Sequence, residues 1–174
     1  MHSRIFIMQP IADGKNETEL MNNIKNDLDK AGGSFWDETS LYESLRFADY
    51  VMNNKKFLID DLQWLEHTYN IKINVAKING ESIGIIKHQQ LKKLSNELKN
   101  SIANRIKNAR KNIMKDHLTY ADMYRISEIL DPRMEFYFAI GNDLINEVGL
   151  YEYYIKDIKK NDAIIIIETY DYHY

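Results

Sequence analysis

Apolar residues recur at helical spacing through a long segment in the middle of the chain. Over residues 87–117 they stand three or four positions apart, at Leu91, Leu94, Leu98, Ile102, Ile106, Ala109 and Ile113. Because an α-helix completes a turn in about 3.6 residues, this spacing places all seven side chains on one side. The segment is therefore predicted to form one long amphipathic helix whose apolar side packs against the core.

Three shorter helices are predicted before this segment. The first two begin with the capping-box spacing, at Asn16 and at Ser40, which satisfies free amides in a first turn. The third is expected to begin at Asp60 or Asp61 and to end at Asn70. The residues expected to face inward are Leu20, Ile24, Leu28 and Ala31, then Leu41, Leu45, Ala48 and Met52, then Leu62, Leu65 and Tyr69.

Strand signals surround these helices. Residues 4–8 form a short apolar run, and the pair Asn79 and Gly80 between two β-rich runs predicts a type I′ hairpin, since both tolerate positive φ. Residues 134–140 alternate as a strand does, and residues 163–169 form the continuous apolar run of a strand buried on both faces. Helical spacing over residues 144–158 lies between these two strands. Together they predict a β-α-β unit with parallel strands and a right-handed crossover.

These elements predict the α/β class in a mixed α+β arrangement. The sheet is expected to have about five strands, with a central β-hairpin, a C-terminal β-α-β unit and helices packed on it. A further helix, capped by Thr119 with Asp122, lies between the long helix and that unit. No linker or internal repeat divides the chain, so residues 1–174 are expected to form a single globular domain.

The composition is typical of a soluble, folded protein. Apolar residues make up 44% of the chain and charged residues 28%, and there is no cysteine. Disulfides, thiolate metal sites and a cysteine nucleophile are therefore excluded, and a cytoplasmic location is expected. The longest apolar run, residues 163–167, is far shorter than the roughly 20 residues of a membrane span, so no membrane partner is expected. Abundant Asn, Lys, Ile and Tyr suggest an AT-rich coding sequence, as in a low-GC bacterium, its phages or a mobile element.

Charge is strongly segregated along the chain. Residues 87–117 hold nine Lys and Arg against two acidic residues, whereas the rest of the chain holds 14 basic and 24 acidic residues. A helical wheel places the cations mainly opposite the apolar side, so the candidate partner-binding residues are Lys93, Lys107, Arg110, Lys111 and Lys115. Arg105 instead falls beside the apolar side, where it is expected to pair with an acid elsewhere in its own domain.

Three interpretations of this basic face stay open. It can be a solvated outer surface, a docking surface for an acidic protein, or a binding surface for nucleic-acid phosphates. The net charge of −3 and the lack of an aromatic residue in the basic helix weigh against nucleic acid. The acidic, Tyr-rich C-terminal region is a second candidate surface, because it could contact a basic partner or the basic helix of a second copy in a homodimer.

A small-ligand site is the alternative to a macromolecular interface. Ligands of open α/β sheets bind beyond the carboxyl ends of parallel strands. That rule selects residues after the first and the penultimate strand as possible ligand-binding residues, namely Gln9, Asp13, Lys15, Asn142 and Asp143. The competing interpretation is that they only form a turn and cap a helix.

The opening of the chain resembles that of small nucleoside deoxyribosyltransferase-like proteins. Over residues 5–20 a strand, a loop containing Gln9 and Pro10, and a capped helix follow one another, and Asp37, Thr39 and Glu43 are similar to the acid-bearing motif of that family. The glycine of the motif is missing, and too few residues separate it from the first helix to fit the intervening strands. The chain is therefore assigned to no family on these residues.

No catalytic residue, metal site or cofactor is expected. The five histidines lack metal-ligand spacing, and there is no phosphate-binding loop, dinucleotide fingerprint or nucleophile motif. The sequence therefore favours a small non-enzymatic interaction or regulatory protein that binds a protein partner. A nucleotide- or nucleoside-type enzyme and a non-specific nucleic-acid binder are the alternatives.

Overall fold

The architecture is known from a computed structural model that describes residues 2–12, 14, 16–31, 38–45, 50–114, 118–130, 136–141, 143–157, 159 and 162–173. Its strands are β1 (His2–Ala12), β2 (Tyr50–Asn53), β3 (Asn74–Ile78), β4 (Glu81–Ile86), β5 (Phe136–Ile140), β6 (Asp143–Ile145) and β7 (Asp162–His173). Its helices are α1 (Glu17–Ala31), α2 (Glu38–Ser44), α3 (Leu58–Tyr69), α4 (His88–Ile113), α5 (Tyr120–Leu130) and α6 (Glu147–Gly149). A 3₁₀ turn covers Lys55–Phe57, and a π-helix, Leu150–Ile155, continues α6.

The described strands form one mixed sheet in the order β3-β4-β7-β1-β5-β6, with β2 also paired to β7. The β1–β5 pair is parallel and every other pair is antiparallel. The predicted mixed α+β class is confirmed, with seven strands where about five were expected. The two strands that the sequence did not show, β2 and β6, span four and three residues and are too short to carry a periodic signal.

The predicted parallel pairing of the last two strands is wrong. β1 lies between β5 and β7, parallel to β5 and antiparallel to β7, so β5 and β7 run in opposite directions. β6 causes this difference in direction. The sequence did not show this strand, because the apolar residues from Leu144 onward have helical spacing. A turn at Gly141, with φ of 58°, sends β6 back along β5, and the following helix then returns the chain to the carboxyl end of β5. β7 therefore enters the sheet from the end at which β5 left it.

Helices cover both faces of the sheet. On one face, α3, α4 and the π-helix bury a large apolar cluster against Phe6, Phe138 and Ile166. On the other face, α1 packs near Ile165 and α2 packs near Ile5. β7 carries Ile164 and Ile166 on the first face and Ala163 and Ile165 on the second, so its continuous apolar run is explained by burial on both sides.

The cap at Asn16, the end of α3 at Asn70 and the hairpin turn are confirmed, whereas α3 begins at Leu58, ahead of the expected start at Asp60 or Asp61. The Asn16 side chain accepts a hydrogen bond from the amide of Glu19 at 2.9 Å, and α3 ends at Asn70, whose φ is 49°. Asn79 and Gly80 have φ values of 52° and 86°, as a type I′ turn requires. These devices act over three or four residues, which is why the sequence alone identifies them.

Several element limits differ from those expected. β1 continues to Ala12, because β7 pairs with it over its whole length, so Gln9 and Pro10 lie in the strand rather than in a loop. α2 begins at Glu38, ahead of the predicted cap Ser40. Met52 was expected on the inner side of that helix but lies in β2 and is exposed, since pairing with β7 fixes this segment as a strand.

Close packing between α3 and β4 depends on a glycine. A Cβ atom added at Gly84 would lie 2.7 Å from Cδ2 of Leu62 and 3.1 Å from Cγ2 of Ile73. No real side chain tolerates the shorter of these distances without movement of its neighbours. Gly84 thus allows Leu62 to reach the sheet.

Candidate functional site

The long helix α4 has two halves with different surroundings. Leu91, Leu94 and Leu98 in its first half are buried in the large cluster beneath the sheet. In its second half Ala109 is buried, and α4 as a whole also contacts α5, α6 and the π-helix. The helix has 26 residues, a length of about 39 Å, so its two ends present separate surfaces.

Arg105 is used inside the protein, as expected. Its guanidinium Nη2 bonds to the carboxylate of Glu147, and the phenol of Tyr69 donates to the other oxygen of the same carboxylate. Burial, together with the adjacent Glu147, raises the pKa of Tyr69, while the nearby Arg105 opposes that shift. The three side chains join α3, α4 and α6, so this cluster belongs to the fold.

This ion pair also sets the rotation of the second half of α4. Arg105 and Asn112 are half-buried, whereas their neighbours Ile106 and Ile113 are 59% and 49% exposed. The prediction that these two isoleucines face the core is wrong. The apolar residues from Leu91 to Ile113 advance by about 3.7 positions per turn, whereas Leu98, Arg105 and Asn112 repeat every seven residues. The inward line of α4 follows the seven-residue repeat through Arg105, Ala109 and Asn112, and the apolar pattern drifts away from it.

Three of the predicted partner-binding residues form one exposed group. Lys107, Arg110 and Lys111 stand three and four residues apart, so their side chains neighbour one another on the helix surface, and all three are exposed. Lys93 is half-buried and lies about 21 Å along the axis from Lys107, outside this group. Lys115 lies outside the described residues.

Exposed apolar side chains lie among these cations. Ile106 and Met114 stand one turn before and one turn after Arg110, and Met114 is 74% exposed. Ile113 lies one turn beyond Arg110 on the same side. We call Ile106, Lys107, Arg110, Lys111, Ile113 and Met114 the α4 patch. The sequence holds a signal for the exposure of Ile106 and Ile113. The polar residue before each of them, Arg105 or Asn112, lies at a position that helical spacing allows to face inward equally well.

α5 adds aromatic side chains near the patch. Among its described side chains Asp122 and Ile126 are buried, whereas Tyr120, Met123 and Tyr124 point away from them and are all more than half exposed. The helix starts with the expected capping box, in which the hydroxyl of Thr119 accepts from the amide of Asp122. α5 therefore turns an aromatic face to solvent beside the end of α4.

Two of the tyrosines in the second candidate surface are buried in the fold, whereas Tyr153 is 74% exposed and Tyr174 lies outside the described residues. Tyr170 and Tyr172 lie in β7 and are 4% and 0% exposed, packed against α2. Glu168 in the same strand pairs with Lys55 at 3.6 Å. β7, which carries these residues, lies in the middle of the sheet, because it pairs with β1, β2 and β4.

Two of the five residues selected by the sheet-end rule, Gln9 and Asp143, lie in the described part of the chain. β1 and β5 are adjacent and parallel, so their carboxyl ends do meet at one end of the sheet. Gln9 is half-buried inside β1, opposite Ile165, and Asp143 is exposed and accepts a hydrogen bond from Tyr154 at 2.7 Å. Asp13, Lys15 and Asn142 lie outside the described residues.

Burial and this hydrogen bond change the acidity of Tyr154. Loss of hydration raises the pKa of its phenol, and the Asp143 carboxylate raises it further, to about 12. Tyr154 therefore stays protonated at neutral pH and acts as a donor. Asp143, which was expected to cap a helix or bind a ligand, positions this ring.

Asp61, which the sequence suggested only as a possible start of the third helix, is a second buried carboxylate. Asp61 of α3 is 3% exposed and accepts from Arg4 Nε at 2.6 Å, from Asn54 Nδ2 at 3.0 Å and from the Thr169 hydroxyl at 2.8 Å. The Arg4 guanidinium also lies 4.9 Å from the centre of the Trp64 ring. The network ties α3 to β1 and β7.

Metal and membrane chemistry find no support in the described parts of the chain. No group of three or more His, Asp or Glu side chains there is arranged to hold a metal ion. Within the same ranges, no helix combines the length and the apolar character needed to cross a bilayer. Of the residues likened to the deoxyribosyltransferase motif, Glu43 is exposed on α2 and Asp37 lies outside the described residues.

Comparison with known proteins adds no functional information, since no family model, no curated protein and no solved structure matches this chain.

Proposed function

We propose that this protein is an interaction or regulatory protein, not an enzyme, and that its α4 patch binds an acidic segment of a protein partner. The observation that carries the proposal is the mixture of three exposed cations with three exposed apolar side chains on one stretch of α4. Within the described residues no ion pair uses Lys107, Arg110 or Lys111. Their charges are therefore available to carboxylates of a partner.

A merely solvated helix face accounts for the cations and not for the apolar side chains. Single exposed hydrophobic residues are common, but here Ile106, Ile113 and Met114 surround one arginine and α5 adds further exposed rings. Covering apolar surface is worth about 25 cal/mol per Å². A partner that covers these side chains thus gains free energy that water does not provide.

An acidic protein segment matches the patch better than nucleic acid does. Phosphates would pair with Lys107 and Arg110 but would leave the branched side chains of Ile106 and Ile113 without apolar contact. A segment with carboxylates beside apolar side chains satisfies both parts of the surface. Tyr120 and Tyr124 on α5 could stack on bases, so a nucleic-acid probe belongs in the test.

The test uses a labelled amphipathic peptide of about 18 residues, with Leu on one helical face and Glu on the other. Fluorescence anisotropy is measured for the wild type and for the triple variant Lys107→Glu, Arg110→Glu and Lys111→Glu. We expect the peptide affinity of the triple variant to fall at least about tenfold, because like charges then face each other. The paired substitutions Ile106→Ser and Met114→Ser should also weaken binding, through lost apolar contact.

The matched control reverses three exposed lysines elsewhere, Lys25 on α1, Lys72 before β3 and Lys77 on β3. This control has the same net charge as the test variant and should bind the peptide about as well as the wild type does. If both variants lost the same amount of affinity for the peptide, overall charge alone would explain the effect and the proposal would be overturned. Tighter binding of a DNA duplex than of the peptide, abolished by the same triple variant, would replace it with nucleic-acid binding.

A further inference from the structure

A cleft of about 350 Å³ opens at the end of the sheet where β1 finishes and β7 begins. Its walls come from five elements: Pro10, Ile11 and Ala12 of β1, Asp162, Ala163 and Ile164 of β7, Asp27 of α1, Leu91 of α4, and Tyr153 and Tyr154 of the π-helix. The volume lies within the range of about 300–1,000 Å³ found for small-molecule sites. The cleft is separate from the α4 patch, which is built on the opposite end of α4.

The position of the cleft has two features common to binding sites. It lies at the carboxyl end of β1, which with β5 forms the parallel strand pair of the sheet, where open α/β sheets place ligands. It also takes two side chains from a π-helix, a rare local structure that is frequently found at functional sites. Both features are independent of the side-chain chemistry.

The side chains that line the cleft favour one class of ligand. Its described polar groups are the carboxylates of Asp27 and Asp162 and the phenols of Tyr153 and Tyr154, and no described lining residue is basic. Apolar contact is supplied by side chains such as Pro10 and Leu91. Carboxylates attract a cation, and aromatic rings and aliphatic walls accept the hydrocarbon part attached to it.

Two of these groups are held in position by hydrogen bonds. Tyr154 donates to Asp143 at 2.7 Å, which fixes its ring at the cleft. Asp162 accepts from the amide of Lys159 at 2.7 Å through Oδ2, which holds its carboxylate in place at the cleft. An arrangement fixed before binding costs less entropy when a ligand enters.

We infer that this cleft binds an organic cation, a protonated amine on a short aliphatic stem. The amine pairs with Asp27 and Asp162, and the stem lies against the tyrosine rings and the apolar walls. The same chemistry is offered by a free alkylamine and by a lysine side chain of another protein. The two sources differ in whether a backbone must fit beside the cleft.

The test is an NMR titration of the ¹⁵N-labelled full chain with n-butylammonium and, in a second series, with Nα-acetyl-lysine methylamide. We expect a dissociation constant of about 1 mM or lower for at least one of them, with shifts concentrated at Ala12, Asp27 and Asp162. Uncharged 1-butanol should bind at least about tenfold more weakly, because it cannot pair with the carboxylates. Binding of butylammonium indicates a free amine, and binding of the lysine derivative alone indicates a protein side chain.

Two variants localise the effect. Asp27→Asn and Asp162→Asn remove charge with little change of shape, and each should weaken the cation at least about threefold. Asp60→Asn on the exposed start of α3 is the matched control and should change nothing. Equal binding of butanol and butylammonium, or no shift with either cation up to about 50 mM, would overturn the inference. Spectra of each variant before titration show whether it is folded.

Discussion

Arg105 of α4 bonds to Glu147 of α6 across 42 residues of sequence, and this pair determines which side of α4 meets the solvent. The same carboxylate also accepts the phenol of Tyr69, so three helices meet at one buried charge. Because Arg105 takes the inward position, Ile106 and Ile113 turn outward and join Arg110 on the surface. The internal ion pair and the α4 patch are therefore two consequences of one helix rotation.

The first prediction concerns the strength of this pair. Arg105→Met should lower the free energy of unfolding by about 2–4 kcal/mol, because it leaves the charge of Glu147 buried without its partner. Urea denaturation followed by circular dichroism measures the change. Arg110→Met removes the same charge from the exposed side of the helix and should stay within about 0.5 kcal/mol of the wild type. Equal effects of the two substitutions would contradict the assignment of Arg105 to the interior.

A double substitution separates the charge from the packing. Adding Glu147→Gln to Arg105→Met removes the unpaired charge while the amide oxygen still accepts from Tyr69. The double variant should therefore be less destabilised than the sum of the two single variants. Additive losses would show that the two side chains act independently.

A second prediction concerns the contact of α3 with β4. Gly84→Ala should destabilise the protein by about 1–3 kcal/mol, since the new methyl group would lie 2.7 Å from Cδ2 of Leu62. Leu62→Ala alone should cost about 2–5 kcal/mol as a cavity, but much less in the Gly84→Ala background, where the methyl group fills part of the space. Unchanged stability of the Gly84→Ala variant would argue against this close approach.

A third prediction is a pH dependence at alkaline pH. The pKa of Tyr154 is raised from 10.0 to about 12, so the folded state holds this proton more tightly than the unfolded state does. The stabilising contribution is then complete below about pH 10 and is lost as the pH rises through about 12. Tyr69 contributes in the same direction, because its pKa is also raised.

The measurement is the ¹³Cζ chemical shift of labelled tyrosine as a function of pH. Tyr154 should titrate well above the tyrosines of the denatured chain, and Asp143→Asn should move its pKa back towards 10, because the neighbouring negative charge is gone. The variant Tyr154→Phe identifies the resonance. A titration of Tyr154 near pH 10 in the native protein would contradict the hydrogen bond with Asp143.

The parts of the fold that the sequence revealed are those determined by neighbouring residues. The caps at Asn16 and Thr119 and the turn at Asn79 each depend on contacts within four positions, and all three are present. The long run of apolar residues in β7 likewise predicted a strand that is covered on both faces. Such features need no knowledge of the rest of the chain.

The parts that the sequence did not reveal depend on distant pairing. β6 is three residues long and exists because β5 is beside it, and its presence reverses the direction of β7. Tyr170 and Tyr172 have the polar character of surface residues but are buried, because β7 is central in the sheet. No local pattern encodes either outcome.

For the candidate sites too, the sequence revealed what neighbouring residues determine and did not reveal what distant contacts determine. The sequence found the cations of the α4 patch and the internal use of Arg105, because helical periodicity assigns faces. It did not predict that Ile106 and Ile113 are exposed. Either these two residues or Arg105 and Asn112 could have faced inward, and the position of Glu147 decides between them. It also missed Asp27 and Asp162, which the fold brings to one cleft from opposite ends of the chain.

The most direct test of the proposed function is a charge swap at the α4 patch. A second peptide carries Lys in place of every Glu and is measured against the wild type, the variant with Lys107, Arg110 and Lys111 reversed to Glu, and the control with Lys25, Lys72 and Lys77 reversed. Only the patch variant should bind the Lys peptide at least about tenfold more tightly than the wild type does, since complementary charge is restored at one place. Equal gains in the patch variant and the control, or no gain in either, would contradict the proposed function.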